Sequence, residues 1–262
     1  NTDIVLLTLF ADIKLVAVYA VYNLIISSIR AITESFSGGM EAAFGEMIAQ
    51  NQLERLRCAY HRYKALLVAV SSVLFSCTGI LIIPFVQLYT KGITDTDYVQ
   101  PFFALILLMA EAINCAMLPC TSLPIAANRL KQTKWGAYGE AILNIVLSCI
   151  FIQWDPLIGV ALGTLAATAF RGTFYLVYAA KNILYLPILR MSVSSFAVPA
   201  VISGLTLLGQ RMLQNAIIEN YFQWMLCGAI VFMLLSLPTA LFCLRRLKKP
   251  EETRNETNSD RE

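Results

Sequence analysis

The sequence predicts an all-α, polytopic transmembrane helical bundle of about seven spans. Three observations carry that expectation. Stretches of about 20 mostly apolar residues recur along the 262-residue chain, each long enough to cross ~30 Å of hydrocarbon. Hydrophobic residues make up 58% and charged residues only 14%, with a mean hydropathy of +0.65, which excludes an ordinary soluble domain. The connections between the stretches also alternate in charge, as the two sides of a membrane require.

The run IVLLTLFA at 4–11 is too short to cross. With neither a Met nor a charged leader before it, it lacks the form of a signal peptide. Residues 1–14 therefore read as the tail of an earlier helix and an external loop, and the chain as the C-terminal part of a larger protein. Spans are expected near 15–36, 65–89, 102–122, 136–153, 157–180, 192–210 and 222–244, so that 15–246 forms the bundle. After Leu247 the composition turns to KKPEETRNETNSDRE, which reads as a disordered cytoplasmic tail over 247–262.

Loop charges test the span count. One alternating set holds Arg55, Arg57, Arg62 and Lys64; then Arg129, Lys131 and Lys134; then Lys181 and Arg190; then Arg245, Arg246, Lys248 and Lys249. The other set, around KGITDTD, QWDP and GQRMLQNAIIEN, offers Lys91 and Arg211 against several acids. The positive-inside rule makes the first set and the C-terminus cytoplasmic. One miscounted helix in the middle would break the alternation. The net charge of +3 follows from this topology and calls for no nucleic-acid partner.

Function is sought in the polar residues that a bilayer excludes, since an Arg or Glu near mid-bilayer costs ~2.5 to 3.5 kcal/mol on insertion scales and needs a partner or water. In the first span Tyr19, Asn23, Ser27, Arg30 and Glu34 fall on one narrow arc, joined by Glu41 if the helix continues. Arg30 and Glu34 at i, i+4 can neutralise one another to aid packing. The length of the stripe favours a water-filled cavity instead. In the fifth span Thr164, Thr168, Arg171 and Tyr175 share a side, and Gly159 with Gly163 makes a small-xxx-small pair suited to close helix contact. Arg171 either faces the cavity or snorkels to the cytoplasmic surface. Glu111, with Asn114 one turn on, has no basic residue nearby in sequence, so it either hydrogen-bonds between helices or titrates a coupling proton. Glu140, Asn144 and Ser148 repeat at four-residue spacing, with Glu140 near the surface. Pro84, Pro119, Pro124 and Gly38-Gly39 are expected to kink or break helices.

No catalytic residue, metal site or cofactor site is expected. The single histidine, His61, lies in the basic connection RLRCAYHRYK. There is no nucleotide loop of the GxxxxGK[ST] type, and no extramembrane segment large enough for membrane-enzyme chemistry. The seven cysteines are odd in number, lack metal-type spacing, and read as small packing residues. Work on a solute would then draw on an ion gradient, on membrane potential at ~2.3 kcal/mol per charge per 100 mV, or on the solute's own gradient.

The runs TDIVLLTLFADIKLVAVYAVYNLI, GGMEAAFGEMIAQNQLERL, IPFVQLYTKGITDTDY and NIVLSCIFIQWDPLIGVALGTLAATAF, in that order, resemble the C-terminal half of polysaccharide flippases. These are the O-antigen and teichoic-acid type exporters of the multidrug/oligosaccharidyl-lipid/polysaccharide flippase superfamily. The resemblance covers most of residues 1–180 and, in helix pattern, the remainder to about 245. It implies a two-bundle fold of 12 to 14 helices in a bacterial cell membrane, with a cavity opening alternately to each side. The implied substrate is a lipid-diphosphate-linked oligosaccharide moved from the cytoplasmic to the outer leaflet. Membrane lipids, and the glycosyltransferases and polymerase of the same pathway, are the implied partners. Arg30 and Arg171 would fork onto the diphosphate, while Tyr19, Asn23, Tyr175 and the threonines contact sugar hydroxyls. Two rivals stay open. A cation-coupled multidrug exporter of the same superfamily would use Glu34, Glu41 and Glu111 as ion ligands. A non-transporting scaffold for glycan synthesis would need no wet stripe.

Overall fold

The computed structural model describes residues 2–213 and 220–239. The expected tail at 247–262, the last basic cluster and Cys243 lie outside the described residues. Among the described residues the chain is all-α: α1 Thr2–Phe10, α2 Ile13–Glu34, α3 Ser37–Ala49, α4 Leu53–Tyr89, α5 Pro101–Ala126, α6 Leu130–Phe151, α7 Pro156–Ala179 and α8 Ile188–Leu213, then α9 Tyr221–Thr239. Six stretches are long and apolar enough to cross a bilayer: Ile13–Ala49, Leu53–Tyr89, Pro101–Ala126, Pro156–Leu184, Met191–Leu213 and Tyr221–Thr239. The fold is a membrane-embedded polytopic bundle.

The expected span at 136–153 lies on α6, which is not among those six. Lys131, Lys134, Glu140 and Asn144 lower its hydropathy. Its 22 residues still reach about 33 Å, and α6 lies antiparallel against α7 from end to end. The Phe174 ring covers Gly136 near one end, and the Phe151 carbonyl abuts Gly159 near the other. The two helices are thus packed along their whole length.

Helix boundaries follow local chemistry. Asp12 caps α2 by accepting from the Lys14 amide, and Asp155 caps α7 by accepting from the Ile158 amide at 2.9 Å, with Pro156 in the first turn. The first stripe does not run on as one helix. Ser35 and Ser37 hydroxyls donate to the Ile32 and Glu34 carbonyls, and the chain turns at Ser35–Phe36 before restarting as α3. Gly38 and Gly39, the expected break, sit inside α3. At 37 residues α4 is about 55 Å long, so Arg55, Arg57 and Arg62 ride on its first turns beyond the hydrocarbon. There Arg57 donates to the Leu184 carbonyl at 2.8 Å and Arg129 to the Asn182 carbonyl at 3.0 Å. They thereby close the π turn Ala180–Leu184 that follows α7, where Tyr185 takes a left-handed φ of 52°.

Helices run through Pro84, Pro119 and Pro124 rather than breaking. Near Pro84 two carbonyls of α4 also accept from side chains on neighbouring helices: Trp224 Nε1 donates to the Leu81 carbonyl at 3.1 Å and Gln210 Nε2 to the Gly79 carbonyl at 2.9 Å. Trp224→Phe removes one of these donors, and is expected to destabilise the fold by about 1 kcal/mol in detergent unfolding.

Two apolar clusters hold the bundle. One joins α1, α2, α4, α5, α7 and α8 around Tyr22 and Phe103, whose rings meet edge-on at 5.3 Å. The other joins α3, α4, α5 and α7 around Phe44, Tyr60, Leu123 and Leu176. Between them, at mid-length of α5, lie Glu111 and Asn114.

Candidate functional site

Those two residues stand at the centre of a chain of charges from four helices. Arg30 of α2 pairs with Glu34 at 3.4 Å and with Glu111 of α5 at 3.0 Å. Glu111 Oε2 accepts from Asn114 Nδ2 at 3.2 Å, and Asn114 Oδ1 accepts from Arg171 Nη2 of α7 at 2.6 Å. Arg171 Nη1 in turn pairs with Glu140 of α6 at 3.1 Å. The row Glu34, Arg30, Glu111, Asn114, Arg171, Glu140 is thus continuous.

Burial grades along the row. The Glu111 side chain is 14% exposed, whereas Arg30 and Glu34 are 38% and 42% exposed. The stripe on α2 therefore lies on the seam between that helix's buried face, through Val18, Tyr22 and Ile26, and its open face at Leu24 and Ser28. Arg171 turns inward to Asn114 and Glu140 instead of snorkelling. Glu140 belongs to the same row, against the expectation of a surface residue. Three carboxylates face two guanidinium groups, and forked N–H donors beside carboxylates form the stronger class of hydrogen bond.

A second polar node anchors α1. Asp3, 7% exposed, accepts from Tyr19 OH and Thr164 Oγ1, each at 2.9 Å, and from Asn144 Nδ2 at 3.4 Å. Asn144 also donates to Thr164 at 3.2 Å and accepts from Ser148 at 3.3 Å. Tyr19 and Thr164 thus point at a carboxylate on α1. Asp3→Asn weakens two charge-assisted bonds, and a loss of about 1–3 kcal/mol in thermal unfolding is expected. Asp3 sits within an apolar nonamer too short to span. An acid in such a run was the available signal, but its donors lie 16, 141 and 161 residues away.

The remaining candidates are not drawn into the row among the described residues. Ser27 donates to its own helix at the Leu24 carbonyl, 3.3 Å away. Asn23 and Tyr175 are half-buried and Thr168 is buried. Because the helix breaks at Ser35–Phe36, Glu41 lies on α3, where it accepts from Ser122 of α5 at 3.1 Å. Among the described residues no group of three metal-ligating side chains occurs. The chain matches no protein-family model, no curated protein and no solved structure.

Proposed function

We propose that this chain is part of a membrane transporter of the flippase type, carrying a lipid-diphosphate-linked oligosaccharide from the cytoplasmic to the outer leaflet by alternating access. One observation supports the reading above others. Two arginines, one near the end of α2 and one in the second half of α7, stand in an apolar bundle, partly exposed and paired with carboxylates from three helices. A helix pair that only needed neutralising would not require a row across four helices. A diphosphate offers the same paired oxygens as the carboxylates that hold these guanidinium groups. Substrate can therefore exchange with Glu34 or Glu140 without leaving an arginine unpaired in the membrane. The more open end of the row, at Arg30 and Glu34, is the point of entry, and the buried centre at Glu111 and Asn114 fixes the spacing of the two arginines. Glycosyltransferases and a polymerase that make and consume such a lipid are the partners this reading implies.

Thiol accessibility tests it. In a background cleared of native cysteines, Asn23→Cys, Ser27→Cys and Glu34→Cys should react with a water-soluble thiol reagent in membranes, whereas Leu24→Cys on the open apolar face should not. Uniform protection favours a dry scaffold. A second reading, a cation-coupled exporter, is favoured by the excess of carboxylates over arginines in the row and by the additional acid at Asp3. It predicts transport of organic cations that survives Arg171→Ala.

A further inference from the structure

A different face of α7 carries a different chemistry. Phe170, Phe174, Val177 and Lys181 line up roughly 120° around the helix from Thr164, Thr168, Arg171 and Tyr175. Along them runs a groove of about 370 Å³. Its lining comes from α7 and the turn after it, and the Phe174 and Phe170 rings are seated against Gly136 and Gly139 of α6, where a Cβ would stand 2.6 Å from a ring carbon. The walls are apolar over Phe170, Phe174 and Val177 and turn polar at Tyr178, Lys181 and Asn182. From Phe170 to Lys181 the groove extends about 16 Å, the depth of one leaflet of a ~30 Å hydrocarbon core.

The polar end is uniformly basic. Residues 127–139 and 176–190 contain Arg129, Lys131, Lys134, Lys181 and Arg190 and no Asp or Glu. Lys181 is exposed, and among the described residues Arg129, Lys131, Lys134 and Lys181 form no ion pair. Arg129 is held at Asn182, next to Lys181 in the chain, by its bond to the Asn182 carbonyl. Trp135 and Tyr138 are exposed beside it, as aromatic side chains are at a membrane interface. Among the described residues these cations have no carboxylate partner, which leaves them open to an anion from the bilayer.

We propose that this groove is a binding site for an anionic glycerophospholipid of the leaflet at the basic end. One acyl chain lies along Phe170, Phe174 and Val177, and the phosphate sits at Lys181 beside Arg129. Apolar depth and unopposed charge meet at one end of one groove, which is the division of an acidic lipid into tail and headgroup. The site is independent of the charged row, which faces another side of α7.

The test is native mass spectrometry of the chain released from vesicles of equal phosphatidylglycerol and phosphatidylcholine. Retained phosphatidylglycerol is expected to exceed phosphatidylcholine, to fall about fivefold in Lys181→Gln, and to fall likewise in Val177→Trp, which fills the groove from its own wall. Lys91→Gln, at the opposite end, should leave retention unchanged. Equal retention of the two lipids, or phosphatidylglycerol retention unchanged in both groove variants, overturns the proposal. Displacement of phosphatidylglycerol by equimolar polyprenyl phosphate overturns it too, since the groove would then belong to the transported substrate.

Discussion

Arg30→Ala is expected to reduce export by roughly 100-fold or more while leaving membrane insertion intact. That is the scale on which losing one preorganised donor to an anion acts. Arg30 is the only side chain joining the stripe of α2 to Glu111 of α5 among the described residues, through contacts of 3.4 Å to Glu34 and 3.0 Å to Glu111. Its removal also strands a largely buried carboxylate, so lost activity alone would not separate a substrate role from a packing role. Arg30→Ala combined with Glu111→Gln does so. The double variant should regain thermal stability, because the only carboxylate left without Arg30 is the exposed Glu34, and should stay inactive, because no guanidinium meets the substrate. Arg30→Lys keeps the charge without the fork and should fall between wild type and alanine. Recovery of transport in the double variant would reduce Arg30 to a packing residue.

Gly159→Val or Gly163→Val is expected to produce the largest loss of stability. At Gly163 a Cβ would overlap the Ser148 hydroxyl and come within 2.9 Å of the Ser148 amide nitrogen. At Gly159 it would stand 2.6 Å from the Ile152 nitrogen and the Phe151 oxygen. These neighbours are mostly backbone of α6 and cannot swing aside, so each change should cost about 3 kcal/mol, the upper end for overpacking. Separating α6 from α7 also stretches the Asn144–Thr164 and Glu140–Arg171 contacts, so transport should fall with stability. Gly38→Ala is the control: nothing lies within 4 Å of its Cβ position, and alanine suits the interior of α3 better by up to about 1 kcal/mol. Equal thermal midpoints for Gly163→Val and Gly38→Ala would refute the α6–α7 contact.

Much of the fold was legible in the sequence because bilayer-spanning helices announce themselves by length and hydropathy. The glycine pair of α7 was legible for a related reason, since small residues at four-residue spacing have few other uses in a membrane helix. Partners were not. Arg30 shows its i+4 neighbour Glu34 in sequence, but Glu111 stands 81 residues away on another helix. Likewise Glu140 reads as a surface residue, and Arg171 as either a cavity or a snorkelling one, until α6 and α7 are laid side by side. Periodicity places a residue on a face of its own helix and says nothing about which helix comes opposite. Asp3 was missed for the same reason. The break at Ser35–Phe36 was displaced from the expected glycines because serine hydroxyls compete locally for helix carbonyls, an effect that side-chain size alone does not reveal.

The most direct measurement is lipid flipping in proteoliposomes of the intact protein, following a fluorescent oligosaccharide on a polyprenyl diphosphate from one leaflet to the other. Flipping by the wild type, with loss in both Arg30→Ala and Arg171→Ala at unchanged reconstitution, is the outcome expected if the charged row lies on the substrate path. Equal rates in the wild type and both arginine variants would contradict it.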